Sequence, residues 1–112
     1  MKKISVIIPM YYEEEVAQEC YIRMTKILSE LNNYDYEIIC VNDGSKDKTL
    51  DVIKGLTKDK RVKYISFSRN FGKEAAMWAG LNASTGDYVT IMDSDLQDPP
   101  SLLKEMIRLI KE

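Results

Sequence analysis

Hydrophobic residues along this chain follow two spacings, one typical of buried strands and the other typical of amphipathic helices. Runs of mainly apolar, often β-branched residues predict four strands, at residues 4–9, 36–41, 62–67 and 88–92. Apolar residues that recur every three or four positions predict helices at residues 14–31, 48–57, 74–83 and from 99 onward. Strands that alternate with helices through short loops predict an α/β fold, a doubly wound, mostly parallel sheet with helices on both faces.

Small and polar residues predict the turns of this fold. Gly44 is expected to supply the turn after the second strand, and Gly86 is expected to end the third helix. Ser45 or Asp47 is expected to cap the second helix. The third helix carries small residues that would let it approach the sheet closely: Ala75, Ala76, Ala79, Gly80 and Ala83.

The composition is that of an ordinary globular domain, or part of one, with 112 residues, 45% hydrophobic and 30% charged. A formal net charge of −2 offers no electrostatic surface for nucleic acid, and the local patch of Lys60, Arg61 and Lys63 is interpreted as solvated surface. Cys20 on a helix and Cys40 on a strand are expected to be buried free thiols in a reducing compartment. The longest apolar run near the N-terminus is too short to span a membrane.

The sequence contains no histidine, which excludes Ser-His-Asp and Cys-His catalysis as well as zinc sites built on histidine. Acid or base chemistry would therefore rest on carboxylates. Three of them, Asp93, Asp95 and Asp98, follow the fourth strand within six residues. Asp93 and Asp95 point to similar sides of an extended backbone, and Mg²⁺ or Mn²⁺ is the usual counter-charge for such a pair. The alternative is that these acids solvate a loop, and Asp98, before two prolines, is expected to cap the next helix.

Polar residues also follow the other predicted strands, at residues 9–13, 42–45 and 68–73. Ligands bind outside the carboxyl ends of the strands in such sheets, so these segments predict a pocket for a nucleotide diphosphate. The sequence has no glycine-rich dinucleotide motif and no P-loop motif, so metal and basic side chains would hold the phosphates. Arg69 and Lys73 are the nearest candidates, around a Gly72 that would allow close backbone approach. The alternative for both is plain surface charge.

Two further residues of these segments have a functional and a structural interpretation. Asp43 could accept hydrogen bonds from a nucleotide base, or it could form an Asx turn with Gly44. Tyr11 offers a ring face for a base to stack on, or it packs beside the first strand.

Four segments at the predicted strand ends form a distinctive set. They are Val6-Ile-Ile-Pro-Met-Tyr-Tyr-Glu-Glu14, Val41-Asn-Asp-Gly-Ser-Lys-Asp-Lys-Thr49, Ser68-Arg-Asn-Phe-Gly-Lys-Glu74 and Asp93-Ser-Asp-Leu-Gln-Asp-Pro-Pro100. Together they resemble the inverting GT-A glycosyltransferases of family 2, and more narrowly the polyprenyl-phosphate (bactoprenol or dolichol) hexosyltransferases. Each motif alone is weak, whereas four in this order and spacing are specific, and they span the whole chain.

The resemblance implies an enzyme that transfers a hexose from a UDP- or GDP-hexose to an acceptor, polyprenyl phosphate, in cell-wall synthesis. It implies a nucleotide-sugar site at Pro9, Tyr11, Glu13, Asp43, Arg69, Lys73, Asp93 and Ser94. It also implies a Mg²⁺ or Mn²⁺ site at the D-x-D motif, with Asp93, Asp95 and Gln97 as ligands. Two positions depart from the family pattern, since Tyr12 replaces a common asparagine and Asn42 replaces the first of two frequent aspartates. The base contact is expected to survive, because Asp43 is the carboxylate kept.

Family members of this kind continue past the D-x-D motif with further strands, a carboxylate general base, an acceptor-binding region and often membrane helices. Residues 1–112 are therefore expected to be the N-terminal nucleotide-sugar-binding part of a GT-A domain, with the general base beyond Glu112. We expect this chain to bind nucleotide weakly and to transfer no sugar alone. The full-length protein is expected to be cytoplasmic, at the cytoplasmic face of the membrane.

Two other functional classes fit part of the sequence. A haloacid-dehalogenase-type phosphatase would use Asp93 as nucleophile and Asp95 as acid, but its D-x-D pair normally follows the first strand rather than the fourth. The other alternative is a non-catalytic fragment that binds nucleotide or assembles, because exposed strand edges favour homo-oligomers.

Overall fold

Four parallel strands form the sheet of this protein in a computed structural model that describes residues 2–31 and 33–92. In chain order the elements are β1 (Lys2–Met10), α1 (Ala17–Ser29), β2 (Tyr34–Asn42), α2 (Thr49–Leu56), β3 (Val62–Ser66), α3 (Lys73–Ala83) and β4 (Tyr88–Ile91). The strand order is β3-β2-β1-β4, and every neighbouring pair is parallel. The predicted α/β alternation is therefore confirmed over these residues.

The helices cover opposite faces of the sheet. The core on one face contains Val6 and Ile8 of β1 together with buried residues of α1 and α2. The core on the other face contains Ile7 and Ile39, which pack with Ala76 of α3. Adjacent residues of β1 thus enter different cores, which explains why the strand is a nearly continuous apolar run. Successive strands are added on one side of β1 as far as β3, and the chain then returns to place β4 on the other side of β1. Open α/β sheets bind ligands at such a reversal of strand order.

Helix α3 approaches the sheet closely through its small residues, as the sequence predicts. Ala76 and Gly80 are buried in this face. A Cβ atom at Gly80 would lie 2.4 Å from a methyl carbon of Ile7, so a larger residue would push the helix away from β1.

Gly86 has a different role from the predicted one. Helix α3 ends at Ala83, and Ser84 already has extended backbone dihedrals, two residues before Gly86. A Cβ atom at Gly86 would lie 2.5 Å from the Ser5 hydroxyl oxygen and 2.9 Å from the Lys3 carbonyl oxygen. Gly86 therefore lets the chain pass close to β1 before β4 begins, and the prediction that it ends the helix is wrong.

The first helix begins later than its apolar spacing predicts. The Glu13 carbonyl accepts hydrogen bonds from the N–H groups of Val16 and Ala17, so residues 14–16 form a turn before α1. Glu19 is the acid in the first turn of α1. The acidic stretch at residues 13–15 consequently belongs to the loop after β1.

A buried carboxylate joins the strands in the amino-terminal half of the sheet. Glu37 of β2 is 1% exposed and accepts hydrogen bonds from the Ser5 hydroxyl at 2.6 Å and the Thr85 N–H at 2.7 Å. The ammonium nitrogens of Lys63 and Lys3 lie 2.7 Å and 3.6 Å from its other oxygen. Burial raises the pKa of Glu37, but Lys63 and the hydroxyl and amide donors outweigh burial and lower the pKa to about 2. The Lys63 side chain is 47% exposed, so it lies at the surface as predicted, but it also pairs with a buried carboxylate, which the sequence did not predict.

Both cysteines are buried and free, as the sequence predicts. Cys20 of α1 and Cys40 of β2 belong to the same core. Burial raises the pKa of Cys40 to about 12, so this thiol stays protonated at neutral pH. Among the described residues, no helix combines the length and apolar composition needed to cross a membrane.

Candidate functional site

The loops after β1, β2 and β3 meet at the carboxyl end of the sheet, which is where the sequence places its candidate residues. Strand β4 ends at Ile91 beside β1, and the Met92 N–H donates to the Ile7 carbonyl at 3.0 Å. The next residue in the chain is Asp93. The predicted residues Asp93, Ser94, Asp95 and Gln97, with the predicted helix cap Asp98, lie outside the described residues.

The loop after β1 is fixed through its backbone to the loop after β2. The Tyr12 N–H donates to the Ser45 hydroxyl at 2.8 Å, and the Glu13 N–H donates to the Thr49 hydroxyl at 2.9 Å. Tyr12 has a positive φ of 54°, an uncommon conformation for a residue with a bulky side chain. The Tyr11 side chain is 47% exposed, with its ring edge-on to that of Tyr12 at 4.6 Å. Tyr11 is therefore at the surface of the site rather than buried beside the strand.

The turn after β2 depends on a buried asparagine and a glycine. Asn42 is 1% exposed, accepts a hydrogen bond from the Ser45 N–H at 3.1 Å and donates to the Ser66 hydroxyl at 3.2 Å. Gly44 has a φ of 78°, and a Cβ atom there would lie 2.2 Å from the Arg69 carbonyl carbon. The predicted turn at Gly44 is confirmed, and glycine is required both for the positive φ and for the close approach of the loop after β3.

Asp43 links three loops. It is 4% exposed, and its N–H donates to the Met10 carbonyl at 2.9 Å. One carboxylate oxygen accepts from the Phe71 N–H at 2.9 Å, and the other accepts from the Asn70 side-chain amide at 3.2 Å. The Asx-type hydrogen bond of this turn comes from Asn42, whereas the Asp43 carboxylate reaches across to the loop after β3.

The loop after β3 presents an arginine and an aromatic ring together. The Arg69 guanidinium lies over the Phe71 ring, 4.8 Å from its centroid, and the Phe71 side chain is 53% exposed. Gly72 has a φ of 100°, but a Cβ atom there would meet no other atom within 4 Å. The glycine is thus required for its backbone dihedrals rather than for close approach. Lys73 is exposed at the first position of α3.

Several acids surround a shallow cavity of about 310 Å³ beside the loop after β1, lined by Tyr12, Glu13, Glu14, Glu15, Val16 and Asp47. The N-cap residue of α2 is Lys48, without a side-chain capping bond, rather than the predicted Ser45 or Asp47, although the Asp47 carboxylate does accept a hydrogen bond from the Thr49 N–H at 2.9 Å. Within residues 2–31 and 33–92, no three acids, histidines or cysteines are grouped closely enough to hold a metal ion.

Sequence patterns missed the residues that hold these loops together. Asn42, Ser45 and Thr49 act through hydrogen bonds to neighbouring segments, and so does Asn70. Polar residues directly after apolar strands were the available signal, but their partners are distant in sequence and depend on which strands are adjacent.

A family model described as Glycosyl transferase family 2 matches residues 5–112. The putative glycosyltransferase CsbB of Bacillus subtilis is 50% identical over 110 residues, which cover 97% of this chain and 33% of CsbB. The bactoprenol glucosyl transferase of Shigella phage SfX is 44% identical over 106 residues, covering 94% of this chain and 34% of that protein. The chain thus spans about a third of the length of the curated relatives that it matches.

The fold also occurs in a solved structure. A mannosyltransferase of Pyrobaculum calidifontis, in complex with GDP-Man and Mn²⁺, has a TM-score of 0.74 at 22% identity, covering 88% of this chain and 33% of the mannosyltransferase. At that identity the likeness supports the doubly wound α/β fold alone. The family match, by contrast, covers nearly the whole sequence, including every loop of the site and the segment after β4. The chain belongs to glycosyl transferase family 2.

Proposed function

We propose that this chain is the N-terminal, nucleotide-sugar-binding part of an inverting glycosyltransferase. The full-length enzyme transfers a hexose from a UDP- or GDP-hexose to polyprenyl phosphate at the cytoplasmic face of the membrane. The observation that carries this proposal is that Asp43 and the end of β4 lie on either side of the carboxyl end of β1, from which Tyr11 follows. A crevice of this kind is where open α/β sheets bind nucleotides.

In the proposed nucleotide-sugar site, the loops after β1 and β2 contact the base, and the loop after β3 contacts the phosphates. The exposed Tyr11 ring is available to stack on a base, and Asp43 can accept a hydrogen bond from a base N–H through lone pairs that Asn70 and Phe71 leave open. Arg69 and Lys73 supply positive charge for the phosphates from the loop after β3 and the start of α3.

The metal part of the proposal rests on the course of β4. β4 pairs with β1 up to Ile91, two residues before the D-x-D motif, so this strand ends at the same edge of the sheet as β1, which leads into the Tyr11 loop. Asp93, Asp95 and Gln97 carry carboxylate and amide oxygens, and oxygen ligands of this kind suit Mg²⁺ or Mn²⁺. Such an ion, when bound, stabilises the negative charge that develops on the departing nucleoside diphosphate. The Mn²⁺ in the Pyrobaculum mannosyltransferase complex supports this assignment.

The acceptor part of the proposal rests on the relatives. The Shigella phage relative is named a bactoprenol glucosyl transferase, which supports a lipid phosphate as the acceptor. We propose that the general base and the acceptor-binding region lie in a part of the full-length protein that corresponds to the remaining two-thirds of the relatives' length. Residues 1–112 alone should then bind nucleotide weakly and transfer no sugar.

Calorimetric titration with UDP, GDP and their hexose conjugates, each with and without Mn²⁺, tests the proposal. We expect binding to one nucleotide series that strengthens with Mn²⁺. The Asp95→Ala variant should lose the Mn²⁺-dependent part of the affinity. The Asp51→Ala variant, which removes an exposed acid from α2, should keep it.

Two results would contradict the proposal. A folded sample that binds neither nucleotide series would exclude the nucleotide site for this chain. Measurable hexose transfer by purified residues 1–112 would show that the catalytic groups are already present.

A further inference from the structure

Asn70 lies at the centre of the hydrogen bonds that join the loops after β2 and β3. Its side-chain amide nitrogen lies 3.2 Å from a carboxylate oxygen of Asp43 and 3.3 Å from the Asp43 backbone carbonyl oxygen. The following residue, Phe71, donates its N–H to the other carboxylate oxygen at 2.9 Å. One carboxylate therefore receives two donors from consecutive residues of a loop that is 27 positions away in sequence.

The Asp43 carboxylate depends on these donors because most of the residue is shielded from water and only a small fraction stays open at the surface of the site. Asp43 is 4% exposed, and among the described residues no lysine or arginine forms an ion pair with it. A buried carboxylate without a cation is costly unless hydrogen bonds to neutral donors replace its hydration. Asn70 and Phe71 supply these bonds and so fix the rotation of the carboxylate.

The same bonds determine where the loop after β3 lies. Gly44 leaves no room between the two loops, since a Cβ atom there would meet the Arg69 carbonyl carbon at 2.2 Å. The Asn70 side chain bonds to the residue that precedes Gly44, so the loops touch at two adjacent positions. Arg69 and Phe71, whose side chains stack together at the surface, are thereby held on the same unit as Asp43.

This inference rests on the function proposed above. We propose that Asn70 is a positioning residue for nucleotide binding: through Asp43 it holds the loops after β2 and β3 as one preformed surface, which presents the Asp43 carboxylate and the Arg69 guanidinium to the nucleotide. Asn70 itself needs no contact with the ligand. A preformed surface binds more tightly than one that must be ordered at the moment of binding.

The test compares Asn70→Ala with the matched control Asn82→Ala, which removes an exposed asparagine from α3. Amide hydrogen exchange of Phe71 is measured by NMR in the free protein, and the affinity for UDP and GDP with Mn²⁺ is measured by calorimetry. We expect Asn70→Ala to speed exchange of the Phe71 N–H and to weaken nucleotide binding by roughly tenfold or more, the size of a lost hydrogen bond to a charged group. Asn82→Ala should change neither quantity.

A second set of variants exchanges the amide and carboxylate groups of Asn70 and Asp43. Asn70→Asp alone should place two carboxylates together and speed Phe71 exchange further. Asp43→Asn combined with Asn70→Asp restores one amide and one carboxylate, and it should regain Phe71 protection without regaining affinity, because the carboxylate is no longer at position 43.

The outcomes separate this inference from the proposed function. Unchanged Phe71 exchange and unchanged affinity in Asn70→Ala would overturn the role of Asn70 while the nucleotide site stands. Affinity regained by the exchanged pair would also overturn it, since Asn70 would then not act through the Asp43 carboxylate. A wild-type chain that binds neither nucleotide would overturn both, and normal thermal unfolding of each variant would exclude misfolding as the cause.

Discussion

Two buried carboxylates, Glu37 and Asp43, belong to the same strand and the loop that follows it, yet the protein compensates their charges differently. Glu37 faces the lysines of two neighbouring strands and accepts hydrogen bonds from Ser5 and Thr85. Asp43 receives its hydrogen bonds from neutral donors. The charge of Glu37 is therefore balanced by lysines of the sheet, whereas within residues 2–31 and 33–92 the Asp43 carboxylate meets neutral hydrogen-bond donors and no cation.

The two ends of the sheet therefore differ in role: the anchoring end, around Glu37, stabilises the fold, and the binding end, around Asp43, is the proposed nucleotide site. Around Glu37, contacts join β1, β2, β3 and the turn before β4, so the beginnings of all four strands are fixed relative to one another. Around Asp43, the loops after β1, β2 and β3 come together, and they carry exposed aromatic rings and positive φ angles. A buried acid held by neutral donors at the carboxyl end of a parallel sheet is the kind of group to which a ligand binds.

Removing the Glu37 carboxylate, whose charge is balanced by two lysines, should have the largest effect on stability. We expect Glu37→Ala to lower the free energy of unfolding by about 3 to 5 kcal/mol, because the Ser5 hydroxyl and the Thr85 N–H each lose their acceptor, at about 1 to 3 kcal/mol per donor, and Lys63 loses its ion pair. Urea denaturation followed by circular dichroism measures the loss. Glu15→Ala, which removes an exposed acid, should change stability by less than about 0.5 kcal/mol. A loss below about 1 kcal/mol for Glu37→Ala would show that the ion pair is not an anchor.

The same carboxylate should give stability a defined pH dependence. Its folded pKa of about 2 lies below its ordinary value of 4.5, so its contribution is present above about pH 5 and is lost as the pH falls towards 2. Denaturation curves at several pH values should therefore show stability decreasing over this range. Glu37→Gln should flatten that decrease, and an unchanged slope in the variant would assign the acid sensitivity to other groups.

A methyl group at Gly44 should have the next largest effect. Gly44→Ala forces a side chain into a positive φ, at about 1 to 2 kcal/mol, and against the Arg69 backbone, at about 1 to 3 kcal/mol. We expect a total loss of about 2 to 5 kcal/mol in urea denaturation, together with loss of nucleotide binding. Gly55→Ala provides the contrast, because Gly55 lies in α2 with open space around it and should become more stable by about 0.5 to 1 kcal/mol. Equal effects at both glycines would contradict a close contact between the loops.

Removing the carboxylate at the binding end should affect stability less and function more. Asp43→Ala leaves the Phe71 N–H and the Asn70 amide without an acceptor, which should cost about 1 to 3 kcal/mol in the free energy of unfolding. Calorimetry should show no nucleotide binding by the folded variant. Compared with Glu37→Ala, the ratio of lost affinity to lost stability should be much higher. Full nucleotide affinity in Asp43→Ala would contradict the role of this end of the sheet in binding.

The sequence was sufficient to predict what local pattern determines. The apolar runs predicted four strands, the small residues of α3 predicted its close packing, and Gly44 predicted a turn. Contacts between distant segments were not predictable in this way. The pairing of Lys63 with Glu37 depends on β2 and β3 being adjacent, and the approach of Gly86 to Ser5 depends on β4 lying beside β1. Asp43 was assigned to the site from its place after the second strand and from the family resemblance, but its bond to Asn70 required knowledge of how the loops fold against each other.

The two buried cysteines allow the opening of the larger core to be followed by chemical modification of their thiols. Cys20 and Cys40 are at most 1% exposed, and burial keeps Cys40 protonated. An alkylating reagent can therefore modify them only when α1 separates from β2, so the rate of modification reports the opening of that core. Changes confined to the loops at Asp43 and Asn70 should leave this rate unaltered, whereas loss of Glu37 should accelerate it.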